Sequence, residues 1–286
     1  MKIAGAIGLV KLMDVKPEIP ADIRACKDIV YKEIGERKLR LDIYQQKKLQ
    51  KAAPVLIFIH GGGWKKGDKA DYLVYLLDFA GRGYVTATIS YRFSQEAKFP
   101  AAVEDVKCAV RWLRTHAAEY HIDTNKMAVI GGSAGGHLAM MIGYSADVKE
   151  FDKDCEVDSV SSRVQAVVNL YGPTDLTTEF AIKQKSLLEF IGQPYDSAAE
   201  IYRRASPLTY ITSDDPPTLI FHGTIDDTVP VGQSDILKAA LDKAGVANEY
   251  HRLKGWPHTM DLAVSVNNYC RYYMNAFFEK YIPIEK

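Results

Sequence analysis

Solid apolar runs alternating with stretches of helical period constrain this chain more than any other feature of its sequence. VLIFI at 55–59 contains no polar residue, which suits a strand buried on both faces. AAVEDVKCAVRWLRTHAAEY at 101–120 then sets Val103, Val106, Ala109, Val110 and Leu113 on one helical stripe. The pattern recurs. YVTATISY (84–91), MAVIGG (127–132), VQAVVNLYG (164–172), PTLIFHG (217–223) and NEYHRL (248–253) read as strands. Helices are expected around 235–243 and from Met260 to the end. Such alternation predicts an α/β fold, a mostly parallel sheet covered by helices on both faces. Ahead of it, DIVYKEIGERKLRLDIYQ alternates apolar and polar residues on both sides of Gly35-Glu36, which predicts an antiparallel hairpin.

No internal repeat or low-complexity linker divides the 286 residues, so one domain is expected, with an N-terminal extension over 1–27. The period breaks down between 172 and 215, where Phe180, Leu187, Leu188, Phe190, Tyr195 and Tyr202 stand among polar residues. That segment is expected to be a helical insertion that forms a lid or wall over the strand ends. Basic and acidic residues balance at 36 each, which leaves no global field to gather nucleic acid or an anionic membrane. No apolar run reaches the roughly 18 residues of a membrane span.

Cys26, Cys108, Cys155 and Cys270 lie far apart, without zinc-ligand spacing, and are expected as isolated thiols in a reducing compartment. The start, MKIAGAIGLVKLM, has a short apolar core interrupted by Lys11 and no small-residue cleavage site. A cytoplasmic location is therefore expected, with the periplasm or secretion as the alternative.

The chemistry centres on GGSAG at 131–135, a G-x-S-x-G pattern with a strand before it and a helix after it. In such an elbow the chain turns sharply and presents the serine, here Ser133, with its hydroxyl exposed. A serine hydroxyl needs a base, and the base needs a group that fixes its tautomer and stabilises its positive charge. HGTIDDTVP at 222–230 ends a strand with the acidic pair Asp226 and Asp227, and GWPHTM places His258 in a turn before the last helix. Among the other histidines, His222 reads as structural, and His137 as packed beneath the loops. His251 falls in a strand, and His116 and His121 close a helix. HGGGW at 60–64 follows the first buried strand, and its consecutive glycines leave backbone N–H groups unobstructed. Gly61, Gly62 and Ala134 are the expected oxyanion hole.

HGGGW, GGSAGGHLA, HGTIDDTVP and GWPHTM together resemble the hormone-sensitive-lipase-like esterases of the α/β-hydrolase superfamily. KLRLDIY, KFPAAVEDVKCAVRWLR and SSRVQAVVNLYGPTDL further resemble bacterial feruloyl and acetylxylan esterases. The resemblance implies an eight-stranded sheet with an antiparallel second strand. It implies Ser133 as nucleophile, His258 as base and Asp226 as orienting acid, with Asp227 the alternative. It also implies a serine carboxylic-ester hydrolase acting on short-chain or hydroxycinnamoyl esters of sugars, with no metal or organic cofactor. Trp64 and Trp256 are candidates to line the substrate pocket. GWPHTM departs from the glycine-rich approach usual before the histidine, which puts the pocket shape in question. An arylformamidase or peptidase-like serine hydrolase is the alternative activity. A non-catalytic ligand-binding member of the fold is a third reading.

Overall fold

Gly35 takes φ +57°, and its turn joins β1 (Ile23–Ile34) to β2 (Arg37–Gln46) as the expected antiparallel hairpin. The structure is a computed structural model that describes residues 10–14, 16–153, 155–157 and 159–285. Most of the apolar start weighed above as a leader, residues 3–9, lies outside them. The remaining apolar runs become β3 (Ala53–Ile59), β4 (Val85–Ile89), β5 (Ile122–Gly132), β6 (Ala166–Leu170), β7 (Thr218–Gly223) and β8 (Asn248–Leu253). Among the described residues they form one eight-stranded sheet in the order β1-β2-β4-β3-β5-β6-β7-β8. β2 runs antiparallel to β1 and β4, and the pairings from β4 through β8 are parallel.

The sheet is covered on both faces because its strands are apolar on both. In β3, Val55, Ile57 and Ile59 enter one core cluster, whereas Leu56 and Phe58 enter the other. Each fully buried aliphatic or aromatic side chain stabilises the fold by roughly 1.5–3 kcal/mol, so both faces demand cover. α1 (Leu73–Gly81), α2 (Ala101–Thr115) and α3 (Ala134–Tyr144) lie in the first half. The 172–215 segment is helical, with α4 (Glu179–Ile182), α5 (Lys185–Ile191) and α6 (Tyr195–Arg204). α7 (Gly232–Ala244) and α8 (Val264–Tyr281) follow. α2, α3 and α7 supply residues to one cluster, and α1 and α8 to the other. The last helix begins later than Met260, because a 3₁₀ turn at Met260–Leu262 precedes it. No helix among the described residues is long and apolar enough to cross a membrane.

The cysteine expectation requires correction. Cys108 and Cys155 form a disulfide across 47 residues of sequence, and only Cys26 and Cys270 are free. α2 buries Cys108 in the core, where the loop after α3 returns to it. Buried Lys107, one residue away, donates to the carbonyls of Ser145 and Val148 and pairs with Asp152, so the same loop is also held by polar bonds. A helical apolar stripe shows that a cysteine faces inward, but not which other chain segment it meets.

Candidate active site

Ser133 sits between β5 and α3 with φ 56° and ψ −123°, a conformation that non-glycine residues adopt rarely. The surrounding glycines answer to close packing at this corner. A Cβ on Gly135 would stand 2.0 Å from the Ile59 carbonyl oxygen, and one on Gly131 would stand 2.2 Å from that of Gly135. No side chain fits at either place, so the turn can be this tight only with glycine.

The loop after β7 and the turn before α8 bring two more side chains to Ser133. His258 Nε2 lies 3.0 Å from Ser133 Oγ, and His258 Nδ1 lies 2.6 Å from Asp226 Oδ2. Asp226 is 7% exposed, and its Oδ1 accepts from the backbone N–H groups of Thr228 and Val229. Burial alone would raise its carboxyl, but hydrogen bonds from His222, His258 and the Val229 amide hold it far below the usual carboxylate range. An ionised Asp226 accepts, so Nδ1 of His258 carries the proton and Nε2 is free to accept from the serine hydroxyl. Of the acidic pair, Asp226 faces inward and Asp227 is exposed, bonded only to the Thr228 hydroxyl among the contacts of its side chain described here.

The HGGGW loop lies against the elbow. A Cβ on Gly61 would stand 2.8 Å from the Gly132 carbonyl oxygen and 3.4 Å from Ser133 Cβ. Gly62 has φ +103°, and a Cβ there would strike the Lys66 carbonyl at 2.0 Å. Ala134 is the first residue of α3, where a helical amide has no intrahelical acceptor. Gly61, Gly62 and Ala134 border the same cavity as Ser133 and His258. His60 is not part of that opening: it stacks on Tyr91 with ring centroids 4.5 Å apart, and burial pushes its imidazole down.

The two tryptophans expected at the pocket divide. Trp64 borders the cavity but is 4% exposed, stacked on Phe190 at 4.5 Å and donating from Nε1 to His137 Nδ1. His137 also bonds the Ala205 carbonyl, and burial pushes its imidazole down to about 4. Trp256 is a correction. It lies outside the cavity lining and packs half-buried on the core cluster beneath α8. Its carbonyl accepts from the Ile225 amide and crowds Gly223, so it pins the His258 turn to the end of β7.

The cavity measures about 950 Å³. From the insertion, Leu176, Phe180, Ala181 and Leu187 give it an apolar wall, and Thr228, Thr259 and Tyr72 add hydroxyls. The sequence reading missed Tyr72, Tyr171 and Asp261. Asp261 is three residues after His258 and Tyr171 directly follows β6, which is the signal that was available.

Residues 41–241 match the model of the BD-FAE family. Esterase LipC of Mycobacterium tuberculosis (strain ATCC 25618 / H37Rv) is 33% identical over 231 residues, covering 78% of this chain and 57% of LipC. Esterase LipQ of the same organism is 33% identical over 264 residues, covering 88% of this chain and 62% of LipQ. The chain thus spans about three fifths of the length of these curated relatives. Among solved structures, the apo form of Thermogutta terrifontis esterase 2 matches with a TM-score of 0.80 and 29% identity over 94% of this chain and 98% of that one. A bifunctional GH43-CE protein of Bacteroides eggerthii matches with a TM-score of 0.81 and 30% identity, over 90% of this chain and 38% of that one.

Proposed function

The chain belongs to the BD-FAE family, within the α/β-hydrolase fold, and from that premise we propose that it is a serine carboxylic-ester hydrolase acting on acylated sugars. The observation that carries the proposal is the chain of contacts Ser133–His258–Asp226 on the border of a cavity of about 950 Å³.

An ester carbonyl binds above Ser133 with its oxygen toward the amides of Gly61, Gly62 and Ala134. His258 Nε2 takes the proton of Ser133 Oγ as that oxygen attacks, and a tetrahedral oxyanion forms against the amides. Asp226, kept ionised by its own hydrogen bonds, stabilises the imidazolium. His258 then gives the proton to the departing alcohol oxygen, leaving an acyl-serine. Water enters with the roles of His258 repeated, and the acid is released. No step calls for a metal or organic cofactor.

Cavity size and lining support the substrate class. The volume is at the upper end of the ~300–1,000 Å³ usual for small-molecule pockets, far more than an acetyl group fills. Phe180 and Leu187 offer an apolar wall to a ring such as a hydroxycinnamoyl group, and the hydroxyl-bearing residues suit a sugar. One structural neighbour is titled a truncated carbohydrate esterase from gut microbiota, at a TM-score of 0.78 and 26% identity, which supports a sugar ester in the same sense. The Cys108–Cys155 bond supports an oxidising compartment, the periplasmic or secreted alternative, over the cytoplasm.

The test is a kcat/KM panel with acetylated xylo-oligosaccharides, methyl ferulate, 4-nitrophenyl acetate and an N-formyl aromatic amide, with Ser133→Ala as the blank. Saturable turnover of the sugar acetate or the ferulate is expected, with a loss on the order of 10⁴-fold or more in Ser133→Ala. Preference for the formamide would replace the sugar-ester reading with that of an arylformamidase. An undiminished rate in Ser133→Ala would overturn the mechanism.

A further inference from the structure

Asp261 is a carboxylate that the steps above do not use. It is 4% exposed, stands three residues after His258 on the Met260–Leu262 turn, and borders the cavity. Tyr171 donates its hydroxyl to Asp261 Oδ1. The Tyr171 ring packs on the imidazole of His258, with centroids 4.7 Å apart and planes at 65°. Tyr72, at the end of the 3₁₀ turn Lys69–Tyr72, brings its hydroxyl to the same corner as that of Tyr171. These hydroxyls also reach the nucleophile side: a Cβ on Gly132 would stand 2.2 Å from Tyr72 Oη and 3.0 Å from Tyr171 Oη. One network therefore touches the residue before Ser133 and the face of His258, and borrows neither hydrogen bond of the triad.

Plain packing does not account for this arrangement. Tyr171 holds φ 45°, a strained conformation for a non-glycine residue that persists where the surroundings over-determine it. A carboxylate taken out of water costs several kcal/mol unless it is well bonded, and an apolar side chain would fill the same space without that cost. Asp226 grips the imidazole at Nδ1, whereas Tyr171 meets its ring at a steep angle and is bonded to a second carboxylate.

Resting on the ester-hydrolase reading, we propose that Asp261, acting through Tyr171, is a positioning residue that holds His258 in line with Ser133 and stabilises the imidazolium formed during attack. The charge it supplies adds to that of Asp226, and a nearby negative charge favours a cationic ring. Burial pushes the Asp261 carboxyl up, while the hydroxyl of Tyr171 favours its ionised form. The other groups facing Asp261 are Tyr75 from α1 and Cys270 from α8. Ser133 and Asp226 face His258, with His222 behind Asp226, and Lys16, Lys65, Lys66, Asp68 and Asp71 border the same cavity.

The test follows the rate at which a fluorophosphonate modifies Ser133 across pH, in the wild type, Tyr171→Phe and Asp261→Asn. This probe reads the serine–histidine pair without requiring the natural ester. Both variants are expected to lose about 10- to 100-fold in labelling rate, and in kcat on 4-nitrophenyl acetate, with KM little changed. Asp261→Asn is further expected to move the acid limb of the labelling profile to lower pH by about half a unit or more. Should Asp261→Asn fail to fold, Tyr72→Phe removes the hydroxyl that meets Tyr171 beside Gly132 while leaving the Asp261 carboxylate bonded, and a loss in labelling rate with an unmoved acid limb is expected. Wild-type rates in the variants, or a rate loss in Asp261→Asn with an unmoved acid limb, would overturn the proposal. A wild-type protein that is never labelled at Ser133 would instead overturn the ester-hydrolase reading, and the proposal with it.

Discussion

Ser133 is held in a strained positive-φ conformation because β5 must turn into α3 within one residue, and the glycines at 131, 132 and 135 let three backbones and two tyrosine hydroxyls converge there. The strain keeps Oγ raised toward His258. At this scale the acid is the most informative side chain. Asp226 accepts two backbone amides and lies within bonding distance of two histidines, whereas its neighbour Asp227 is exposed. Asp226→Asn is therefore expected to lower kcat/KM by about 10⁴-fold, because an amide no longer enforces the Nδ1–H tautomer. Asp227→Asn is expected to stay within about twofold of wild type, the usual result for a substitution outside the reacting contacts. Steady-state kinetics on 4-nitrophenyl acetate checks both, and equal losses would mean that the two carboxylates share the role. The resemblance pointed to Asp226, but the residues alone do not separate adjacent acids, since it is the twist of the loop after β7 that turns one inward.

Among the elements, the insertion and the HGGGW loop are built as one piece. Trp64 stacks on Phe190 of α5, Lys65 pairs with Glu189, and Ser186 Cβ stands 3.4 Å from where a Gly63 Cβ would be. The HGGGW loop is thus braced by the same helix that walls the cavity. Phe180, half-buried on α4, gives the cavity wall an aromatic ring. Phe180→Ala is expected to raise KM for methyl ferulate by about tenfold, the scale of 1–2 kcal/mol of lost apolar contact. The same variant should leave KM for 4-nitrophenyl acetate within about twofold, since an acetyl group is too small to reach that wall. A parallel rise for both esters would place the aromatic acyl group elsewhere in the cavity. The helical nature of 172–215 was legible from its composition, but its docking on Trp64 was not, because that contact joins residues more than 120 apart.

At the scale of the molecule, one sheet with two apolar faces carries the site at the ends of its parallel strands, and the disulfide ties α2 to the loop after α3, away from that site. Closing 47 residues with such a bond is expected to stabilise the fold by about 2–4 kcal/mol. A reductant should accordingly lower Tm by roughly 5–10 °C while leaving the rate at 25 °C unchanged, since no triad residue touches the bridge. Titration of the unfolded, unreduced protein should find two thiols, those of Cys26 and Cys270. Four would remove the bond, and with it the support for an oxidising compartment.

What the sequence determined by itself was whatever depends on neighbours along the chain. Apolar runs such as 55–59, the Gly35 turn, the GGSAG elbow and the HGGGW loop are local patterns, and each became the element or corner its spacing required. The tertiary structure alone decided the rest. It buried Asp226, the acid the resemblance favoured, while leaving Asp227 exposed, and paired Cys108 with Cys155 by bringing a loop against α2. It also turned Trp64 and Trp256 into braces and set Tyr171 and Asp261 on the far side of His258. Those outcomes rest on contacts between residues distant in sequence, and side-chain identity carries no address for the partner that packing in three dimensions will supply.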